Sequence, residues 1–306
     1  MTTENREGDT QYLTSPSVCT EVEHRLARGA AEHLGLGVPT DVCRLRGGLG
    51  RAPILFTCGS RRVVVKQFGH DRDAAQRELV ALARAAPASV ATPAVLASDE
   101  RGNWSDGISI AMSWVPGKAG FPVAPATEWI PSLAAALVAI HDLPPGPGPV
   151  VHPTRLFSAI EELRDDERFA RVAAACAPLR DTEQDLVFAH GDFHPGNVLF
   201  TGSTVTGVID WADSGVRPRA SDVAYCRGVL AVYPGHDAPM VFLDAYEEAS
   251  TLRVDCTMWD ALWGARGMRG AYRHWPAALA SLDVDIASDV IWQRSAAWVD
   301  HNLEGL

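Results

Sequence analysis

FAHGDFHPGNVLF, residues 188–200, and TGVIDWADSGVRPRASDVAY, residues 206–225, decide how this chain is read. Two apolar runs, Val198–Phe200 and Val205–Ile209, flank a short Gly/Ser/Thr turn and read as the strands of a hairpin. Polar side chains stand at the ends of these runs. Asp192 and Asn197 precede the first, and Asp210 ends the second. A hairpin brings all three to one rim. Two carboxylates and an amide suit a hard, oxygen-seeking cation such as Mg²⁺, which takes few protein ligands and fills its shell with water and phosphate. A carboxylate left free of the metal can orient a substrate hydroxyl and accept its proton. That is the minimal equipment for phosphoryl transfer, where catalysis is mostly positioning and charge neutralisation.

HGDFHPGN with the following IDW and DVA resembles the catalytic and metal-binding loops of the aminoglycoside phosphotransferase family, small-molecule kinases with a protein-kinase-like fold. The resemblance implies an α+β, two-lobed fold: a small N-terminal lobe with a five-stranded antiparallel sheet and one key helix, and a larger, mainly helical C-terminal lobe. It implies Asp192 as catalytic base and Asn197 and Asp210 as metal ligands. His190 braces the loop, and Asp222 anchors it from a helix start.

Upstream, VCRLRGGLGRAPILFTCGSRRVVVKQF, residues 42–68, reads as three strands with turns at Gly47–Gly50 and Gly59–Ser60. Backbone N–H groups around Gly48 and Gly50 can approach nucleotide phosphates without side-chain obstruction. Lys66 follows three valines, with its side chain on the face opposite Val65. VVVK resembles the family's nucleotide lysine, which holds the α- and β-phosphates. A helix over residues 71–86 carries Leu79, Leu82, Ala83 and Ala86 as its apolar stripe. Glu78 stands beside that stripe, and the resemblance implies that it turns inward to pair with Lys66. The segment MSWVPG, residues 112–117, resembles the hinge between lobes, with backbone groups of Ser113 and Val115 bonding adenine. Related sequences often carry an acid where Ser113 stands, so ATP and GTP both stay open as the nucleotide.

Helices are expected over residues 18–34, 126–143 and 154–176, and after Tyr225 over 226–232, 238–250, 255–272 and 285–302. His141, near a helix end, reads as a packed or capping residue. The EELRDDER face, 161–168, reads as solvated. In the family the C-terminal helices wall the acceptor site. Asp213 and Asp260 there are candidates to receive cationic groups of a substrate, and Trp259 and Trp263 to stack on it.

The chain has 306 residues, 47% hydrophobic, with Lys+Arg 27 against Asp+Glu 38 and a net charge of −11. That balance argues against a nucleic-acid binder. It suits a cationic small molecule, but a soluble surface is the simpler account of it. The six cysteines show no metal-ligand spacing and read as free thiols. No apolar run is long enough to span a bilayer, and the polar N-terminus lacks a signal peptide, so the expected location is the cytoplasm. Residues 1–17 are expected to be mobile, 18–115 to form the nucleotide-binding lobe, and 116–306 to carry the catalytic loop, metal site and acceptor site. The reading is an ATP- and Mg²⁺-dependent kinase of a small-molecule hydroxyl, an antibiotic or related natural product. A metabolic kinase of an amino alcohol, amino acid or sugar is the enzyme rival, and a non-catalytic nucleotide-binding protein the rival of another class. The sequence leaves the oligomeric state open.

Overall fold

The computed structural model describes residues 19–45, 52–146, 167–180, 185–235 and 237–306. The expected mobile segment 1–17 and the glycine turn with Gly48 and Gly50 lie outside them, as does most of the helix expected over 154–176.

The N-terminal part is an antiparallel sheet of β1 (Thr40–Arg44), β2 (Ile54–Cys58), β3 (Arg61–Gly69), β4 (Val95–Asp99) and β5 (Ile108–Ser113), in the order β1-β2-β3-β5-β4. Strand alternation sorts its two faces. Val63 and Val65 turn to α1 (Glu21–His33), sharing a buried cluster with Leu26, Ala30, Ile54 and Phe56. Val64 turns the other way, to the core shared with α2 (Arg72–Ala85), and Lys66 follows it on that face. Helix α1 starts at a capping box in which Thr20 and Glu23 satisfy each other's backbone donors.

The C-terminal part is mainly helical: α3 (Ala126–His141), α4 (Glu167–Ala175), α5 (Arg219–Val232), α6 (Ala238–Ser250), α7 (Thr257–Ala271), α8 (Trp275–Ala280) and α9 (Ser288–Leu303). The expected hairpin is present as β8 (Val198–Thr201) and β9 (Thr204–Val208). Among the described residues no helix is long and apolar enough to cross a membrane.

Five features depart from the sequence reading. Strands β7 (Leu186–Ala189) and β10 (Gly215–Pro218) pair with each other at residues where no strand was expected. Helix α5 starts at Arg219, ahead of the expected residue 226. The short α8 was not expected. The stripe of α2 is buried at Ala75, Glu78, Ala81, Leu82 and Ala85, whereas Ala83 and Ala86 face solvent. Glu78 therefore lies within the buried face and not beside it. Arg168, at the end of the face read as solvated, forms a two-pronged pair with Asp300 at 2.8 and 2.9 Å.

The back of the cleft is stitched at two points. The Val208 N–H donates to the Ala91 carbonyl at 2.9 Å. The Thr206 hydroxyl donates to the Pro116 carbonyl at 2.6 Å, and β6 (Lys118–Ala119) pairs with β8. Gly117 is required at this seam. Its φ is 134°, and a Cβ there would stand 2.3 Å from the Thr206 Oγ1.

Candidate active site

Three elements bring Lys66, Glu78 and Asp210 together. Strand β3 presents Lys66 to the cleft, α2 presents Glu78 from its buried face, and Asp210 follows β9 with a left-handed φ of 65°. The Lys66 ammonium bonds the Glu78 carboxylate and, at 2.7 Å, the Asp210 Oδ1. Burial works against the charge on Lys66, but Asp210 and Glu78 outweigh it and hold the pKa above its ordinary value. Helix α2 also grips the loop after Asp210, where the Arg77 Nε donates to the Ala212 carbonyl at 3.0 Å. Trp211 secures the loop from below. It is fully buried, stacks on Phe188 with centroids 6.0 Å apart and donates its indole N–H to the Val208 carbonyl.

The loop between β7 and β8 presents Asp192. The Asn197 Nδ2 donates to both the Asp192 backbone carbonyl and its Oδ2, each at 2.9 Å. The Tyr225 hydroxyl, from α5, donates to the other carboxylate oxygen. Burial pushes the Asp192 pKa up, but His194 and Tyr225 outweigh it and hold the carboxylate below its ordinary range. Burial and then Asp192 push the Tyr225 pKa well above the usual phenol value, so it remains a donor at neutral pH.

Asp222, in the first turn of α5, secures this loop. It is 2% exposed and accepts the backbone N–H groups of His190 and Gly191, each at 2.9 Å. The His141 Nε2 lies 3.2 Å from it. Asp222 can only accept, so Nε2 donates and Nδ1 accepts from the Tyr246 hydroxyl at 2.6 Å, which in turn accepts from Arg219. His141 is thus a packed residue, as its position at a helix end implies, and it props Asp222. Gly191 has a φ of 83°, and a Cβ there would stand 2.2 Å from the Asp213 carbonyl.

His190 is fully buried, donates through Nε2 to the Ile209 carbonyl at 3.0 Å and accepts the Asp192 N–H at Nδ1. It therefore ties the loop of Asp192 to the strand end of Asp210. Burial lowers its pKa despite the nearby carboxylates. An unfolded imidazole titrates near pH 6.5, about the value of a model peptide. As pH falls below that, the unfolded chain takes up a proton that the folded chain refuses. The stability contributed by the neutral ring is present above about pH 6.5 and is lost as pH falls toward the depressed folded value. Urea-unfolding midpoints across this window should fall less for His190→Gln than for the unaltered chain. Equal pH dependence in both would remove His190 from this account.

Lys66, Glu78, Ser113, Val115, Asp192, Asn197, Asp210 and Asp213 all line one cavity of about 540 Å³. At the hinge, Ser113 already donates its backbone N–H to the Ala94 carbonyl and accepts the Ala94 N–H on its hydroxyl. Its carbonyl and its hydroxyl hydrogen are left for a ligand, together with the backbone of Val115. Three of the acceptor candidates stand elsewhere. Asp260 is fully buried and bound to Arg227 of α5, out of reach of any substrate cation. Trp259 is a core residue. Trp263 lies beneath Tyr225, ring centroids 4.6 Å apart, and supports that side chain without lining the cavity. Tyr225, His194 and Arg266 line the cavity without having been counted among the candidate site residues. The i,i+3 step from Trp263 to Arg266 was the available sign for the last of these.

Solved structures with this architecture include an aminoglycoside-3'-phosphotransferase of type VIII, with 21% identity, coverage of 79% of this chain and 99% of that one, and a TM-score of 0.59. Another is a thermostable mutant of aminoglycoside phosphotransferase APH(4)-Ia in ternary complex with AMP-PNP and hygromycin B, with 17% identity, coverage of 94% and 98%, and a TM-score of 0.65. A third is a choline/ethanolamine kinase family protein from Mesorhizobium loti, with 18% identity, coverage of 91% and 96%, and a TM-score of 0.61. These likenesses establish a kinase-like fold. In sequence, 147 residues are 32% identical to the aminoglycoside 3'-phosphotransferase of Streptomyces fradiae, 39% of this chain and 54% of that protein. The match spans about half the length of that relative. The profile of the phosphotransferase enzyme family (APH) matches residues 41–262, from the first strand of the sheet into α7, and the chain belongs to that family.

Proposed function

We propose that the chain transfers the γ-phosphoryl group of ATP to a hydroxyl of a small molecule, an antibiotic or related natural product. The observation that carries this reading is the convergence of the Lys66–Glu78–Asp210 cluster and the Asp192–Asn197 pair on one cavity. In this reading residues 18–115 hold the nucleotide, and 116–306 carry the reacting groups and the acceptor. Lys66, fixed between two carboxylates, binds the α- and β-phosphates. The Ser113 carbonyl and the Val115 backbone bond the adenine. Asp192, ionised and steered by Asn197 and Tyr225, aligns the acceptor hydroxyl for in-line attack and takes its proton.

Mg²⁺ is the cation this chemistry implies. Among the described residues no three His, Cys, Asp or Glu side chains gather as a metal site. The acid–amide pair nonetheless fits. Asn197 spends its nitrogen on Asp192 and keeps its carbonyl oxygen, and Asp210 spends Oδ1 on Lys66 and keeps Oδ2. Both are hard oxygen donors, and Mg²⁺ takes most of its other ligands from water and phosphate. When bound, it neutralises charge building on the transferring phosphates.

ADP release with Mg·ATP and a panel of hydroxyl-bearing antibiotics and metabolites tests the reading. Stimulation by one chemical class is the expected result. Failure to bind nucleotide would overturn it. Lys66→Ala should raise the KM for ATP at least about tenfold, the effect of losing one charge-assisted phosphate contact of roughly 1.5–3 kcal/mol. An unchanged KM for ATP would remove Lys66 from the phosphate site.

A further inference from the structure

The charges at the acceptor end of the cavity point to a substrate class different from a polyamine, an inference that rests on the phosphotransferase reading above. Beyond Asp192, the wall is largely apolar, with Phe121, Val229, Trp275, Leu279 and Leu282 facing the cavity. An acceptor carrying several ammonium groups needs a carboxylate for each, because an unpaired cation loses its hydration on entry. Among the described residues that supply is missing. Asp260 is buried against Arg227. Asp283 is engaged by Lys118 at 3.3 Å. Asp192 is committed to the reacting hydroxyl, which leaves Asp213.

A cation stands opposite. Helix α7 is buried at nearly every position from Trp259 to Ala271, yet Arg266 is exposed and lines the cavity. Its guanidinium lies over the Trp263 ring, 5.4 Å from the centroid. Among the described residues no carboxylate comes within ion-pair distance of it. Trp263 in turn packs on Tyr225, which bonds Asp192, so Arg266 sits on the acceptor side of the reacting group. The neighbouring His274 has its pKa lowered by partial burial, Arg266 and Arg273. Arg266 and Lys118 thus balance Asp213 and Asp283. A planar guanidinium held over an aromatic ring is a ready partner for an oxyanion.

We propose that the acceptor is a hydroxylated small molecule with an apolar body and one anionic oxygen group, which pairs with Arg266, and that polyamine aminoglycosides are poor substrates. The test measures calorimetric binding and ADP release for the full chain with Mg·ATP, using mycophenolate and mupirocin as anionic probes and kanamycin A as the polyamine. At least one anionic probe should bind about tenfold or more tighter than kanamycin A. Arg266→Ala should weaken that probe about tenfold, leave the KM for ATP unchanged, and leave the unfolding temperature in place because the side chain is exposed. Arg266→Glu should reverse the preference. Tighter binding of kanamycin A would overturn the proposal, as would anionic binding indifferent to both substitutions or failure of both anionic probes while nucleotide binds. A raised KM for ATP in Arg266→Ala would assign the residue to the nucleotide and also overturn it. Loss of nucleotide binding in the unaltered chain is a separate failure, that of the phosphotransferase reading itself.

Discussion

Asp192→Ala is expected to lower turnover about 10³-fold, the middle of the range for removing a positioned proton acceptor, with nucleotide affinity nearly unchanged. The separation follows from geometry. The Asp192 carboxylate bonds Asn197 and Tyr225, whereas the groups placed for the phosphates, Lys66 and Asp210, bond each other. Removing the carboxylate takes away the group that orients the hydroxyl and leaves the Lys66 cluster intact. Single-turnover ADP release and ATP titration, run on both proteins, read the two quantities apart. Lost ATP affinity with retained turnover would contradict the role. Asp192→Asn sharpens the test, since it keeps the shape but presents a donor where a proton acceptor is needed.

Asp222→Ala is expected to be the most damaging substitution for stability. Asp222 satisfies two backbone donors, the buried one of His190 and the partly buried one of Gly191, and receives the His141 Nε2. Each donor left without a partner costs about 1–3 kcal/mol, so two cost roughly 2–6 kcal/mol. The melting temperature should fall by about 5 °C or more. Gly191 is held in a left-handed conformation by these bonds, so the loop bearing Asp192 should slacken and turnover should fall with stability. Asp222→Asn retains one accepting oxygen and should fall between the two. A melting temperature within about 1 °C of the unaltered chain would show that solvent or a neighbour replaces the carboxylate.

The parts of the fold and site that the sequence discloses are those whose causes are local. HGDFHPGN is a contiguous loop, and the hairpin after it carries Asp210 to the same rim. VVVK places Lys66 by strand alternation alone. Glu78 was legible as the partner of Lys66 although the stripe of α2 was misplaced. Its alanines do not distinguish one helix face from another, and the buried face includes an acid because Lys66 neutralises it. Strand β10 was hidden because Gly215 and Pro218 disfavour a strand, and only pairing with β7 creates one. Asp260 looked available because its partner, Arg227, lies on a different helix. Tyr225 was missed for the converse reason: it is a lone residue on a helix, and its importance comes from Asp192, supplied by another element.

The seam at the back of the cleft has a consequence for how the protein would work through a cycle. Ala91 and Pro116 both hold the β8–β9 hairpin, one through Val208 and the other through Thr206. Any opening of the mouth therefore pivots about a line that runs past the hairpin, and displacement grows with distance from it. Lys66 and Arg77 would ride with the sheet and α2, and Asp210 and Ala212 with the hairpin, so these two bonds would stretch together. Asp192, Asn197 and Tyr225 would all stay on the side of the hairpin. On the proposed reading, a spent nucleotide would then leave without unsettling the group that receives the next proton, and the pace of exchange and the competence for chemistry would be set by different parts of the chain.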